Sequence, residues 1–359
     1  MTEIIRAASA TPCLLQHAKN PTAFVSARQN FQYLPNPLEL ARSPETSLSS
    51  RARNMTQPQQ FAIMQTALET LLVDRNFSDA RCGLPQEFVR GLLTKPTFET
   101  PNQQVGVTGE RTLHRKLMGL PSRPFSHEIT RRLITLHDHI RDKSQFVQNQ
   151  PDEDDIMFLP ASHFGFTEIE SMDSLIPNLS GDLSSIEECE RWLRQAGEKG
   201  ILALLGIRTT IGTASLRFSE KFESEQHLFP PSSEDLLEAS RMINKPHSNS
   251  SLSVAGRALA KHADRGKSRF FGIVQGSEST KNKHADDVVM KLLREASWIN
   301  IHHFGGTETC RPIIEVRTIE GYGARWSARW KDAFTPDEVI FRGFLEPQMV
   351  DGHEKRWRH

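Results

Sequence analysis

Cysteine is scarce in this chain, and the few residues it has stand far apart. Cys13, Cys82, Cys189 and Cys310 are separated by at least 69 positions, so no CxxC pair supplies the close ligands that zinc ribbons and fingers need. The simplest reading is a reduced, cytoplasmic setting. Long hydrophobic runs are missing as well. Nothing approaches the roughly 20 apolar residues that span a bilayer, and the opening MTEIIRAASATPCLLQHAKN carries Glu3 where a secretory leader needs an apolar stretch. No membrane partner is expected. An excess of either charge is also lacking: 44 Lys and Arg stand against 44 Asp and Glu over 359 residues. That balance argues against a protein that coats nucleic acid by bulk electrostatics, and leaves only a local basic face open.

Familiar catalytic signatures are absent too. There is no GxxxxGK[ST] phosphate loop and no GxSxG nucleophile elbow, and the one glycine pair that starts a dinucleotide fingerprint, Gly321 and Gly323, fails at Trp326. An enzyme built this way would take a substrate that arrives already activated. The terminus DGHEKRWRH begins like a zinc HExxH site at His353 and Glu354, but the next histidine is His359, too far along for one helical face. No metal or other cofactor is expected.

What is present divides the chain into three. Residues 1–58 are rich in Ser, Thr, Pro, Asn and Gln without apolar periodicity, and predict a mobile or loosely docked polar tail. Residues 59–150 predict a helical region: Phe61, Met64, Leu68, Leu71 and Leu72 recur at helical spacing over 60–74, as do Ile129, Leu133, Leu136 and Ile140 over 126–143. The run Asp152, Glu153, Asp154, Asp155 reads as a solvated boundary, after which 151–359 predict an α+β domain. There, Ser184 and Glu187 suggest a capping box for a helix ending near Gly197, and Ser232 or Ser233 starts a helix that stops before Lys245 and Pro246.

Residues 251–359 hold 18 Lys and Arg against 14 Asp and Glu, and four of the five tryptophans. This makes them the candidate functional core. The pattern predicts helix 253–264, strand 269–275, helix 280–296, strands 297–303 and 312–319, a glycine turn, and strand 338–346. The fold class that follows is α+β, largely helical in its first half, with a mainly antiparallel sheet and packed helices in the second.

Strand alternation locates candidate chemistry, because successive side chains point to opposite faces. Trp298, Asn300 and His302 share one side of their strand, Glu315 and Arg317 share one side of the next, and Arg342 and Glu346 share one side of the last. If the three strands are neighbours in register, Asn300, His302, Glu315, Arg317, Arg342 and Glu346 form one polar patch. The competing reading is a solvated outer face with ordinary cross-strand ion pairs. Two further features stand beside it. The stretch EGYGARWSARW, with Glu320, Tyr322, Arg325 and Trp326, reads as a hairpin bend or a ligand loop. On the helix SVAGRALAKHADRG, Arg257, Lys261 and Arg265 form a basic stripe, which serves as a solvated face or as a phosphate contact. Asp351, His353 and Glu354 follow Glu346 closely enough to offer acid or base groups.

The segments GRALAKHADR, WINIHHF, EVRTIEGYGARW and FRGFLEPQMVDGHEKRWRH resemble the C-terminal region of fungal proteins long labelled hypothetical, a group that includes the arginine-containing cyclodipeptide synthases. The resemblance lies within residues 256–359 and carries over no family residue by position. It implies an acyltransferase that joins arginine to a second amino acid, with aminoacyl-tRNA as substrate and no cofactor. On side-chain chemistry, Glu315, Glu320 or Glu346 would receive the arginyl group, and His302 or His353 would act as base. Arg317, Arg342 or Tyr322 would meet the oxyanion, with Asn300, Arg325, Trp326, Arg257 and Lys261 as substrate contacts. Two other readings stand beside this one. The first is a non-catalytic RNA- or protein-binding module whose Trp298, Trp326, Trp330 and arginines form a stacking surface. The second is a small-molecule hydrolase or isomerase using the same His/Glu/Arg patch.

Overall fold

A computed structural model describes residues 56–73, 84–95, 112–145, 157–167, 170–177, 183, 185–210, 212–213, 228–243, 250–262, 270–303, 311–332 and 334–347. Expectations for nearly all of the polar tail, for the acidic run 152–155 and for the terminus bearing Asp351, His353 and Glu354 lie outside these residues. The class is α+β: nine α-helices are found among the described residues, with a five-stranded mixed sheet confined to the C-terminal part.

The helices are α1 (Gln57–Val73), α2 (Gln86–Leu93), α3 (Leu113–Lys116), α4 (Phe125–Gln145), α5 (Met172–Leu175), α6 (Ile186–Leu204), α7 (Ser233–Arg241), α8 (Val254–His262) and α9 (Glu278–Arg294). Their apolar stripes explain most of them. Helix α1 buries Met64, Leu68 and Leu71, and α4 buries Ile129, Leu133 and Leu136 while leaving Ile140 half exposed. Helix α7 opens with a complete capping box, in which Ser232 and Asp235 each accept from the other's backbone N–H. The cap of α6 falls one residue later than the sequence suggests, with the Ser185 hydroxyl accepting from Glu188 N. The repeated Ser-Ser and Glu-Glu pairs offer two frames there. Helix α6 also runs past Gly197, which interrupts it at φ 61° without ending it.

Strands β1 (Ile207–Arg208), β2 (Ala296–His302), β3 (Ile313–Thr318), β4 (Gly323–Asp332) and β5 (Thr335–Leu345) lie in that order across the sheet. The first pair is parallel and the other three are antiparallel. Two expectations are corrected. Residues 270–275 form turn and irregular backbone rather than a strand. The stretch expected to be a bend or loop is mostly β4, and the turn is confined to 319–322, closed by Thr318 N donating to Tyr322 O at 2.7 Å. The alternation Ala324, Trp326, Ala328 against Arg325, Ser327, Arg329 was there to read, but small residues on both faces blunt it.

One face of the sheet carries Ile299, Ile301, Ile314, Val316, Ala324, Trp326 and Ala328 into a hydrophobic core shared with α7, α8, α9 and the N-terminal helices. Phe125 and Phe88 both pack on Phe229, whose carbonyl accepts from Trp330 Nε1. A buried ion cluster ties α4 to this core. Arg132 Nε meets Glu128 at 2.6 Å, and its two terminal nitrogens donate to Leu204 O at the end of α6 and to Gly119 O. Gly119 N in turn donates to Ala296 O of β2. Among the described residues no helix is long and apolar enough to cross a membrane, and no group of three or more His, Cys, Asp or Glu is placed to hold a metal ion.

Candidate active site on the second face of the sheet

The opposite face carries one row of registered residues across all five strands, charged on β1, β3 and β4. Arg208 registers with Asn300, Asn300 with Glu315, Glu315 with Arg325, and Arg325 with Gly343. Residues paired across neighbouring strands share a face, so the expected register of β2 and β3 is realised. Glu315 is the hub. Its Oε1 accepts from Arg317 Nε at 2.5 Å, its Oε2 accepts from Arg325 Nε at 2.7 Å, and His302 Nε2 lies 3.6 Å from the same Oε2.

This face is not a solvated exterior. The Glu315 and Arg317 side chains are each 1% exposed, while His302 at 12% and Arg325 at 18% form the accessible end. The cover over the closed end comes from residues 158–166. Phe164 and Phe166 pack on the fully buried Trp298, and Phe166 also lies under the Arg317 guanidinium. Arg208 sits over Trp298 and donates to Leu159 O. His163 bonds Ile319 O across the same seam.

Burial alone would push the Glu315 carboxyl up. The His302 ring nearby and the Arg317 and Arg325 charges outweigh it and hold the group far below the usual carboxylate range. Glu315 is therefore anionic at neutral pH. It orients its cations and is unsuited to accepting a proton near neutrality. His303, next along the chain, has its value lowered by burial and by the neighbouring His302. That makes it a neutral imidazole near pH 7.

The turn after β1 clamps this end. Asn300 Nδ2 donates to Arg208 O at 2.8 Å and to Thr213 Oγ1 at 2.9 Å, and Thr210 Oγ1 reaches Asn300 Oδ1 at 3.4 Å. His303 N donates to Gly212 O, and a side chain at Gly212 would crowd His302 Cβ at 3.1 Å. Arg208, Thr210, Gly212 and Thr213 were not foreseen. Their only sequence signal is the polar string after a short apolar run, and their pairing with β2 spans about ninety positions of chain.

The remaining predicted residues scatter. Trp326 is on the core face, buried, with Nε1 donating to Leu236 O and Ser240 Oγ of α7. Trp298 and Trp330 are buried as well, so the three tryptophans do not form an exposed stacking surface. Tyr322 stacks on Phe270 and meets Phe271 edge-on, away from Glu315. Glu346 contributes its backbone carbonyl, which accepts from Arg317 Nη1, and Arg317 also donates to Gly321 O. Glu320 is exposed in the 319–322 turn, and Arg257 and Lys261 ride on α8 in the helical layer. Arg342 leaves the row because β5 bulges: Gly343 pairs with Arg325 and Phe341 with Trp326, so Arg342 is the inserted residue and is exposed.

Comparison with protein families gives a match. Residues 242–346 fit the model of the CdiA C-terminal tRNase toxin domain. The matched stretch begins within the link from α7 to α8 and ends just past β5, so it contains His302, Glu315, Arg317, Arg325 and Arg342 but not the β1 turn. Comparisons with curated proteins and with solved structures return no match. The match corrects the resemblance drawn from sequence. Three of the segments that suggested a cyclodipeptide synthase, and part of the fourth, fall inside a stretch that fits a tRNA-cleaving domain instead. The biosynthetic, aminoacyl-transferring reading is withdrawn with it. The RNA-linked alternative is the better supported one, although its tryptophan surface is not.

Proposed function

We propose that this chain is an RNA-cleaving enzyme whose substrate is tRNA, with the active site at the His302 and Arg325 end of the charged row. One observation carries the reading: the Glu315-centred cluster of Arg317, Arg325 and His302 is built entirely from residues inside the stretch that fits a tRNase domain.

The chemistry needs few parts. A ribose 2′-hydroxyl attacks the adjacent phosphodiester once a base takes its proton, the O5′–P bond breaks as an acid protonates the leaving oxygen, and charge on the phosphoryl oxygens needs a fixed cation. The substrate carries its own nucleophile, in keeping with the missing nucleotide-binding loop. His303, neutral near pH 7, suits the base. His302, steadied by Glu315 on one ring nitrogen and by the His303 carbonyl on the other, suits the proton donor to the leaving oxygen. Arg325, aligned by Glu315 and part exposed, suits the phosphoryl oxygens. Arg317 and Asn300 hold these groups from behind.

The test is direct. Purified full-length protein incubated with unfractionated tRNA should yield discrete fragments on a denaturing gel, with 2′,3′-cyclic phosphate ends. Intact tRNA that is nevertheless bound would favour a non-catalytic RNA-binding module, and intact unbound tRNA would end both readings.

A further inference from the structure

The charged row ends on a residue without a side chain. Gly343 registers with Arg325 at the edge of the sheet, at φ +140°, and among the described residues nothing lies within 4 Å of the position a Cβ would take. Among the described residues no further strand lies beyond it, so β5 is the edge of the sheet. Among the described residues, the floor beside Arg325 is therefore bare backbone. The bulge sets the exposed Arg342 at the rim of this floor, between the residues opposite Arg325 and Trp326. Bulges beside active sites re-aim side chains, and a glycine lets a ligand's backbone come close.

We infer that Gly343 and Arg342 form a second phosphate subsite. The ribose-phosphate strand crosses the sheet edge over Gly343, the scissile phosphate meets Arg325, and the Arg342 guanidinium grips a neighbouring phosphate of the same strand. The inference rests on the RNA-cleaving reading and adds to it where the substrate backbone enters. The opposite end cannot serve, because Phe164, Phe166 and Trp298 close it. Arg342 contacts the substrate away from the reacting atoms, so its effect should fall on binding rather than on the chemical step.

The experiment measures kcat and KM for tRNA cleavage at several salt concentrations, using wild type, Arg342→Gln, Arg342→Lys and Arg329→Gln. Arg329 is an exposed arginine of β4 already paired with Glu338, and serves as the control for general surface charge. A single lost phosphate contact makes the dependence of log kcat/KM on log salt shallower by about 0.7 to 0.9. Arg342→Gln should show that change and a several-fold higher KM at low salt, with kcat unchanged, while Arg342→Lys stays close to wild type and Arg329→Gln does not move. Wild-type values in Arg342→Gln, or an equal loss in Arg329→Gln, would overturn the subsite while leaving the cleavage reading intact. A wild-type protein that cuts no tRNA would remove both.

Discussion

Glu315 and Arg325 face one another across β3 and β4 as registered partners, with Arg325 Nε 2.7 Å from Glu315 Oε2. The other oxygen of the same carboxylate is taken by Arg317. One buried anion thus holds two cations, and only one of the two reaches the accessible end of the face. Stability and activity are coupled through that carboxylate.

Removing it should cost the fold heavily. Glu315→Ala leaves Arg317, 1% exposed, as an uncompensated buried charge, a loss of about 3–5 kcal/mol for a broken buried pair. Urea unfolding followed by circular dichroism checks this. A loss below about 1 kcal/mol would mean that Glu315 is not the hub described.

Trp326 separates packing from recognition. Its indole N–H bonds Leu236 O and Ser240 Oγ on the helical side, so Trp326→Phe should lower stability by about 1–3 kcal/mol through the lost indole hydrogen bonds and lost volume. Affinity for tRNA, measured by filter binding, should be unchanged. A fall in affinity without a fall in stability would restore the stacking surface expected from sequence.

Acid should loosen α4. Burial raises Glu128, but Arg132 and Arg131 outweigh it and bring its pKa down from 4.5 to about 2. A carboxyl lowered on folding stabilises above its unfolded value and loses that contribution as pH falls through its folded value. The window is therefore pH 4.5 down to about 2. Glu128→Gln should be less stable at neutral pH and should show a shallower decline over that window, read from thermal unfolding at stepped pH. An unchanged acid limb would show that the Glu128 to Arg132 cluster carries no such linkage.

Asn300 tests the β1 turn. Asn300→Ala deletes the bonds to Arg208 O and Thr213 Oγ1 and frees the chain beside His302 and His303. We expect kcat for tRNA cleavage to drop at least tenfold with KM nearly constant, since misplacement of catalytic groups by a fraction of an ångström is costly. Equal kcat would place the turn outside the catalytic machinery.

Local patterns in the sequence reveal the parts that depend on local chemistry, and miss those made by long-range pairing. Alternation in β2 and β3 put Asn300, His302, Glu315 and Arg317 on one face, because period-2 geometry is a property of the strand itself. The same logic failed in β5. A bulge shifts the parity between Phe341 and Gly343, which separates Arg342 from the row and brings Gly343 into it. The Ser232 and Asp235 cap was legible within one residue, whereas the Arg208 turn and the Phe164 and Phe166 cover were not, since neither has a meaning until β2 lies beside it. Tryptophan was the most misleading signal. Its abundance near the end of the chain suggested a surface, but Trp326 and Trp330 are buried in the main core and Trp298 lies beneath Phe164 and Phe166.

The central claim is that the accessible end of the Glu315 cluster cuts tRNA, and His302 is the group on which it turns. The decisive measurement is the single-turnover rate of tRNA cleavage by wild type and His302→Ala, with tRNA affinity and thermal stability taken on the same preparations. The account predicts cleavage by wild type and a loss of at least about 100-fold in the variant, the usual contribution of a positioned acid or base, with affinity and melting temperature close to wild type. Undiminished cleavage in a folded His302→Ala protein would contradict it.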